Sequence, residues 1–590
     1  MTWHFDWMVR AALVASVAGC GDDTTSPGDT DTDTDTDTGT GTTATTDGPT
    51  TVGPPMTSTT GQVDSTGQLD STGVATEDSS GSSGSGGMAS RGRARLVFID
   101  ATDDVYTLRT VDYDDGPLGD PVLVHAPLGP GVSVSPLYRV SPDRRWLSLR
   151  EVHSAPESHV LSVVDMTDPA FPNPVPINVA PAPNPGWATG EEFSPASTHV
   201  AFLGGPDGAG PFDLFLVELA GGPSVPVRIN PQPGTGGSVS SGFLFSPDGS
   251  RIAYIADLDG AGTNEIYVQD ADTSDPGIAV QVSAGGGSSP HFSGDGSVVY
   301  YTRDVDADGI AELHAVDISG PPSAPQVYDP GDVGTVKAMR WAPDGRGLAY
   351  WTGDDASVLG DLVFVPFVGA GFGTPVTLNV APGVGVLNSI EWSPASTHIV
   401  FSAEEDGPLD GWLVAVEDGT ASIPVRVNDP LPPGAEVTEY AFDPTGSSVY
   451  YFVSDTGTTL FHAPIEGDVL GARTQLSPAS TSADGAVLVS EDGTRVTFSA
   501  VDGGVRTLYV SDLRGAAPSE GVALSPTRGP AAETWFTGAF APEGEAIFYV
   551  AFGVPEHDPW LFAGSPNEPG VANPVVDTGR VQNARLFPLP

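Results

Sequence analysis

Three aspartates at alternate positions and a closing glutamate mark the stretch Asp304-Val305-Asp306-Ala307-Asp308-Gly309-Ile310-Ala311-Glu312. Alternation brings the oxygens of Asp304, Asp306 and Asp308 to one side of a loop. Gly309 allows a sharp turn, Ile310 can lend its backbone carbonyl, and Glu312 can complete an oxygen shell of the kind calcium takes. The stretch predicts a calcium site, with a solvated acidic hairpin as the alternative reading. Related acidic loops occur at Asp257-Leu258-Asp259-Gly260, Glu404-Glu405-Asp406-Gly407 and Asp502-Gly503. They lack the third spaced carboxylate, and no tight site is expected there.

Catalytic patterns are sparse. There is no G-x-S-x-G nucleophile elbow and no H-E-x-x-H zinc motif. Glu556-His557-Asp558 reads as a surface loop between strands, and Gly285-Gly286-Gly287 lacks the following helix and lysine that a phosphate site uses. The single cysteine, Cys20, has no disulfide partner and no second thiol for a metal.

The elements that must hold these residues repeat. Segments related to Phe245-Ser246-Pro247-Asp248-Gly249 begin at Val140, Phe193, Phe245, Phe292, Trp341, Trp392, Phe442, Val489 and Phe540. They lie 47–53 residues apart, and Val140 to Phe540 covers eight periods of 50. A period of that length with several short strands per unit points to propeller blades. In each unit Ser-Pro-Asp-Gly is a β-turn, with Pro fixing φ at its second position and Gly taking the fourth. Next come apolar strands such as Ile252-Ala253-Tyr254-Ile255, Val298-Val299-Tyr300-Tyr301, Leu348-Ala349-Tyr350-Trp351 and Ile547-Phe548-Tyr549-Val550. Their unbroken apolar runs suit a sheet covered on both faces. Third strands follow at Ile266-Tyr267-Val268, Leu362 to Val365 and Leu508-Tyr509-Val510. Outer strands at Val225 to Ile229 and Ile423 to Val427 carry proline, which sheet edges tolerate.

The expected fold is therefore an all-β propeller of four-stranded antiparallel blades over 93–590. Leu96 to Ile99, Val105 to Leu108 and Val122 to Val124 read as a blade's last three strands without a turn motif before them. Val581 to Leu589 reads as one extra strand that completes this first blade and closes the ring. Nine motifs and one split blade make ten blade equivalents, in one ring or in two smaller ones. Ser194-Pro195-Ala196-Ser197-Thr198-His199 recurs at Ser393 to His398, about 200 residues or four blades later. This suggests a past duplication, and the matching positions of His199 and His398 make those histidines structural in origin.

The turn, the I-A-Y strand and the Glu265-Ile266-Tyr267-Val268 strand resemble the WD40-like repeats of the TolB family from about Arg95 to the C-terminus. That resemblance implies a propeller and an envelope protein. The α/β domain that precedes the TolB propeller has no counterpart here. The Asp304 loop resembles the calcium loops in the β-hairpins of integrin-type propellers, with Glu312 in place of their last aspartate. At the other end, Arg10 and the apolar run Ala11 to Ala18 read as an export signal. Val17-Ala18-Gly19-Cys20 resembles the lipobox of bacterial lipoproteins, which implies cleavage after residue 19, lipidation of Cys20 and anchoring, with Gly21 favouring the outer membrane. Residues 20–92 are dominated by Thr, Ser, Gly and Asp and are expected to be a disordered tether with a reach of roughly 45 Å.

The chain has 23 basic and 76 acidic residues and a formal net charge of −53. Phosphate contacts need clustered cations, so the composition argues against nucleic acid as a partner. With Lys337 the only lysine, no polybasic patch exists for an anionic membrane either. Three functions fit: a non-enzymatic, lipid-anchored scaffold for protein or glycan partners, a calcium-dependent adhesin, or a propeller enzyme acting on polysaccharide or peptide at its channel.

Overall fold

The structure, a computed structural model, describes residues 94–588 apart from short intervening stretches, among them 307–310, 331–334 and 541–546. The described residues form strands and connections only, and the strands pair into ten antiparallel sheets. This is an all-β propeller of four-stranded blades; sheets 6 to 8 (335–377, 386–426 and 436–475) each add one two-residue strand. The inner strand of sheet 1 is Arg580–Pro588, and that of sheet 2 is split into Val132–Val134 and Arg139–Val140. Sheets 3 to 10 open with Trp187–Phe193, Ser238–Phe245, Ser288–Phe292, Thr335–Trp341, Val386–Trp392, Glu436–Phe442, Ser482–Val489 and Glu533–Phe540.

All nine residues expected to precede a turn are the last residues of these strands. In sheet 4 the turn is closed by Gly249 N donating to Ser246 O at 2.8 Å, and Ser246 N donates to Arg251 O at 2.9 Å. Ser246 Oγ also accepts from Arg251 N and donates to Asp248 Oδ1. The fourth residue has left-handed backbone, with φ of 72° at Gly249. In the divergent copies the same place is held by Arg144, Ser197 and Ser396, with φ of 65°, 58° and 57°. Such a residue costs about 1–2 kcal/mol when it is not glycine. Ser197 and Ser396 offset part of this: each Oγ accepts a hydrogen bond from the preceding turn, from Asp143 N and Asp344 N, both at 2.9 Å.

Sheet order around the molecule follows from contacts between neighbours. Inner strands of successive sheets touch: Trp187–Phe193 with Ser238–Phe245, Thr335–Trp341 with Val386–Trp392, and Glu533–Phe540 with Arg580–Pro588. The sheets converge at that edge and splay at the other, where outer strands such as Val227–Arg228 and Val425–Arg426 are two residues long. These are shorter than the sequence suggests. Pro226 and Pro424 cannot donate to a ladder, and Val225 and Ile423 before them are 82% and 85% exposed. Arg580–Pro588 pairs with Ala94–Thr102, so the last strand of the chain belongs to the first sheet.

Two further repeats lock the blades. A polar side chain after the outer strand accepts a backbone N–H of the third strand: Asn178 from Leu161, Asn230 from Leu214, Ser283 from Ile266, Asn379 from Leu362, Asn428 from Gly411 and Ser477 from Leu460. In sheet 1 His125 Nε2 does this for Leu108 N. Between second and third strands, aromatic rings stack across the ladder: Phe202 on Phe215, Tyr254 on Tyr267, Tyr451 on Phe461 and Phe498 on Tyr509, with centroids 5.4–5.7 Å apart. Pairs of this kind contribute about 0.5–1.5 kcal/mol each beyond burial. The cores lie between adjacent sheets; Phe245 packs with Leu203, Leu216 and Ile229 of sheet 3.

Asn230 tests the outer lock. Asn230 is buried; its Oδ1 accepts from the buried Leu214 N at 2.7 Å and its Nδ2 donates to the half-buried Asp213 Oδ1 at 2.8 Å. Asn230→Ala should lower stability by about 2–3 kcal/mol, because a buried donor and a carboxylate lose their partner. Asn230→Ser should cost less, as serine fills this place in sheets 4 and 8. Urea midpoints at unchanged slope would show the difference; equal midpoints for all three proteins would refute the lock.

Candidate functional site

The acidic hairpin joins Val298–Arg303 to Glu312–Asp317, with Arg303 opposite Glu312 in the ladder. Asp304 and Asp306 are exposed and Glu312 is buried. The Glu312 Oε2 accepts from Val305 N at 2.9 Å, so this carboxylate is turned back onto the loop. Asp308 and Ile310 lie outside the described residues, as does Cys20. The neighbouring hairpin is organised differently. There Asp257 accepts from Gly260, Ala261 and Gly262 N–H groups, and these bonds, Gly262 foremost, hold its carboxyl below the usual range. That carboxylate serves the turn itself.

His199 and His398 also serve turns. Each opens a second strand and donates its backbone N–H to the turn serine, Ser194 or Ser393. Their Nδ1 atoms meet Thr198 and Thr397 hydroxyls, and His398 Nε2 reaches Gly467 O at 3.1 Å.

A different set of residues comes together on the converging edge. Nearly every inner strand is bulged against its second strand, with register shifts at Ala201/Leu203, Val239/Phe243, Ser288/His291, Val336/Ala338, Val386/Ile390 and Val437/Glu439. A bulge re-aims the side chains that follow it. Past the bulge, the last residue of the strand packs toward the preceding sheet. The residue before it stands half-exposed or exposed in the polar copies, and across sheets 2 to 10 it reads Arg139, Glu192, Leu244, His291, Arg340, Glu391, Ala441, Leu488 and Ala539.

The polar members interact across sheets. Arg139 Nη2 lies 3.7 Å from Glu192 Oε2. Burial raises the Glu192 carboxyl despite Arg139, and the nearby charge of Glu191 adds to the rise. Glu191 itself is paired in the interior with Arg150 at 2.7 Å. Burial pushes Glu391 up to about 8 against the opposing field of Arg340, while Phe442 N donates to its carboxylate. His291 lies flat on Trp341, centroids 4.4 Å apart and planes 14° apart, and burial pushes it down to about 4. Arg340 Nη1 donates to Met339 O at 3.0 Å, and Trp392 Nε1 donates to Arg340 O at 3.0 Å. The wall thus presents guanidinium groups, a neutral imidazole and carboxyls that resist ionisation. Sequence reasoning passed over all of these. The signal was nonetheless present: aligned on its turn motif, the repeat shows one strand position that is apolar in some copies and charged in others.

No protein-family model and no curated protein matches the chain. Among solved structures it is similar to dipeptidyl peptidase 4 of Porphyromonas gingivalis, with 13% identity over 71% of this chain and 65% of that one and a TM-score of 0.42. It is also similar to a TolB-like protein of Agrobacterium tumefaciens, with 17% identity over 49% and 90% and a TM-score of 0.25. The β-propeller domain of the Trilobed protease from Pyrococcus furiosus matches with 13% identity over 56% and 95% and a TM-score of 0.26. At such identities the roles of residues are read from this chain's own geometry.

The wall makes stability depend on pH in two opposed ways. Glu391 binds its proton more tightly when folded, so its contribution is complete below pH ~4.5 and is lost as pH rises toward 8, at up to about 1.4 kcal/mol per pH unit for one proton. His291, with His159, His314 and His462 depressed by the same cause, costs stability as pH falls below about 6.5. Melting temperature should therefore peak between these limbs. Glu391→Gln should flatten the fall between pH 6.5 and about 8, and His291→Leu, the residue type at 244, should soften the fall below 6.5. Unchanged limbs in both variants would refute these assignments.

Proposed function

We propose that the chain is an exported, lipid-anchored β-propeller of the cell envelope that acts as a non-enzymatic binding scaffold for a protein or glycan partner. The observation that carries this reading is the axis-side wall, where a uniform repeat departs from itself at one strand position with groups suited to binding. The anchor is assigned to Cys20, the tether to residues 20–92, and the membrane to the outer membrane. The ten sheets are taken as one closed circuit, since each touches the next in chain order and Glu533–Phe540 touches Arg580–Pro588. Residue Ala94, opposite Pro588, brings the chain into the circuit at the end of the sheets that carries the turns.

A second element of the reading is calcium at Asp304, Asp306, Asp308, Glu312 and the Ile310 carbonyl. What favours it is Glu312, a buried carboxylate directed at its own hairpin loop with one oxygen engaged by Val305 N. Bound there, the ion would tie the two ends of the hairpin together and stiffen one blade edge.

Cys20→Ser should move the protein from the membrane fraction to the soluble one, and retention in membranes would defeat the anchor. On that soluble protein, calcium should raise the melting temperature relative to chelator, and Asp304→Asn with Asp306→Asn should abolish the difference. An identical melting temperature with calcium and with chelator would remove the metal from the proposal.

A further inference from the structure

The described chain meets the propeller at Ala94–Thr102, a strand set inside sheet 1 between Val105–Tyr113 and the C-terminal strand Arg580–Pro588. Elsewhere inner and second strands follow one another in the chain; here they are its two ends. Ala94 lies opposite both Tyr113 and Pro588, so a strand opening from its tether end would lose its ladders pair by pair. The next residue stands against this. Arg95 is 8% exposed. Its Nε donates to Asp112 Oδ1 at 2.6 Å and its Nη2 to Asp112 Oδ2 at 3.0 Å, a bidentate pair with the facing residue of sheet 1. Its Nη1 donates to Met166 O at 2.8 Å, and its guanidinium lies 4.0 Å from the centre of the Phe171 ring. Both partners belong to the connection that follows the third strand of sheet 2. Two residues on, Val97 O accepts from Tyr138 Oη of sheet 2 at 3.0 Å.

The blade does not require an arginine at this place. Tryptophan, histidine, valine, glycine and serine open the second strand in sheets 2, 3, 5, 6 and 8. Sheet 4 carries the same device in a looser form. There Arg251 faces Asp270 in its ladder and donates Nη1 to Ile318 O at 2.9 Å, the carbonyl just past the third strand of sheet 5. Its ion pair measures 3.9 Å, and its side chain is 30% exposed against 10% for Arg95. The tighter form stands where the chain enters. We propose that Arg95 is the latch that holds the entering chain to the propeller, pinning Ala94–Thr102 to sheet 2 so that sheet 1 does not open from its tether end. To release it, a buried guanidinium must leave a carboxylate, a carbonyl and an aromatic face together, whereas the ladder pairs behind it can be lost singly. The planar fork serves a bidentate carboxylate and a further acceptor at once, which an ammonium group does not. Under the anchored reading, any pull from the membrane arrives at Ala94 and meets this latch first. The inference rests on that reading for the pull alone; the latch itself is independent of the membrane.

The experiment is native-state hydrogen exchange of the Cys20→Ser protein, read by mass spectrometry on peptides from 94–102, with His398–Glu404 of sheet 7 as the reference. Arg95→Met, which keeps an apolar stem, should speed exchange over 94–102 about tenfold or more, the equivalent of about 1.4 kcal/mol, and leave the reference unchanged. Arg95→Lys should speed it less but measurably, and it carries the comparison if Arg95→Met does not fold. Arg251→Met, which removes the looser copy, should leave 94–102 unchanged. Wild-type exchange over 94–102 in the Arg95 variants would overturn the proposal. So would a rise of equal size in the sheet 7 reference, which marks general destabilisation rather than a latch. Retention of Cys20→Ser in membranes would defeat the anchor and not the latch, and exchange would then be read on the detergent-extracted protein.

Discussion

One small interaction is repeated along the described sheets: from sheet 3 to sheet 9, the inner strand ends in a turn whose left-handed fourth residue rests on the turn before it. Ser197 and Ser396 make the contact with a hydroxyl accepting from Asp143 N and Asp344 N. Gly249 and Gly296, with φ of 72° and 69°, lie against Ser194 and Ser246 of the turn before, where a Cβ would stand at ordinary contact distance of 3.5–3.6 Å. The sequence of turns runs from sheet 2 to sheet 9, and it does not end there. Arg144 in the first of these turns reaches Glu491 in the last at 3.3 Å. The turns of sheets 2 to 9 are thus linked in series, and one ion pair joins the first of them to the last.

This constraint explains what the sequence reveals readily. A residue needed in every copy for turning or packing appears every fifty positions, so the turn, the second strand and the completing C-terminal strand are all readable from spacing and composition. The places where expectation overshoots have the same origin. Outer strands read as five residues at Val225 to Ile229 because their composition is β-rich, but only Val227–Arg228 pairs, since proline removes a donor and nothing covers the edge. The asparagine and serine locks after the outer strands were overlooked because their role depends on a backbone N–H sixteen or seventeen residues earlier, which no local pattern displays.

The wall was harder to read for a related reason. Glu391, Arg340 and His291 lie within two residues of a bulge, and which way a side chain there faces depends on the register shift. Composition around Glu391, with Ile390 and Trp392 on either side, looks like an ordinary strand. Only the convergence of inner strands from several sheets gives these residues an enclosed setting, and that setting, rather than any motif, moves Glu391 and His291 away from their ordinary ionisation. By contrast, the acidic hairpin at Asp304 is conspicuous in sequence because its residues are adjacent in the chain.

Duplication links these two kinds of legibility. When four blades are copied, features required by the blade persist in both copies, as the Ser-Pro-Ala-Ser-Thr-His turns and Asn178 with Asn379 do. An arginine–glutamate pair at a position that leucine or alanine can fill is not required in this sense, although it occurs at both places. Divergence then acts on the geometry. The Arg139–Glu192 copy neutralises itself, which suits a rigid wall. In the Arg340–Glu391 copy the carboxylate accepts from the backbone of sheet 8, and Arg340 donates to Met339 O while its charge opposes the rise of Glu391. The same pair of residue types thus takes two geometries on a nearly symmetric frame.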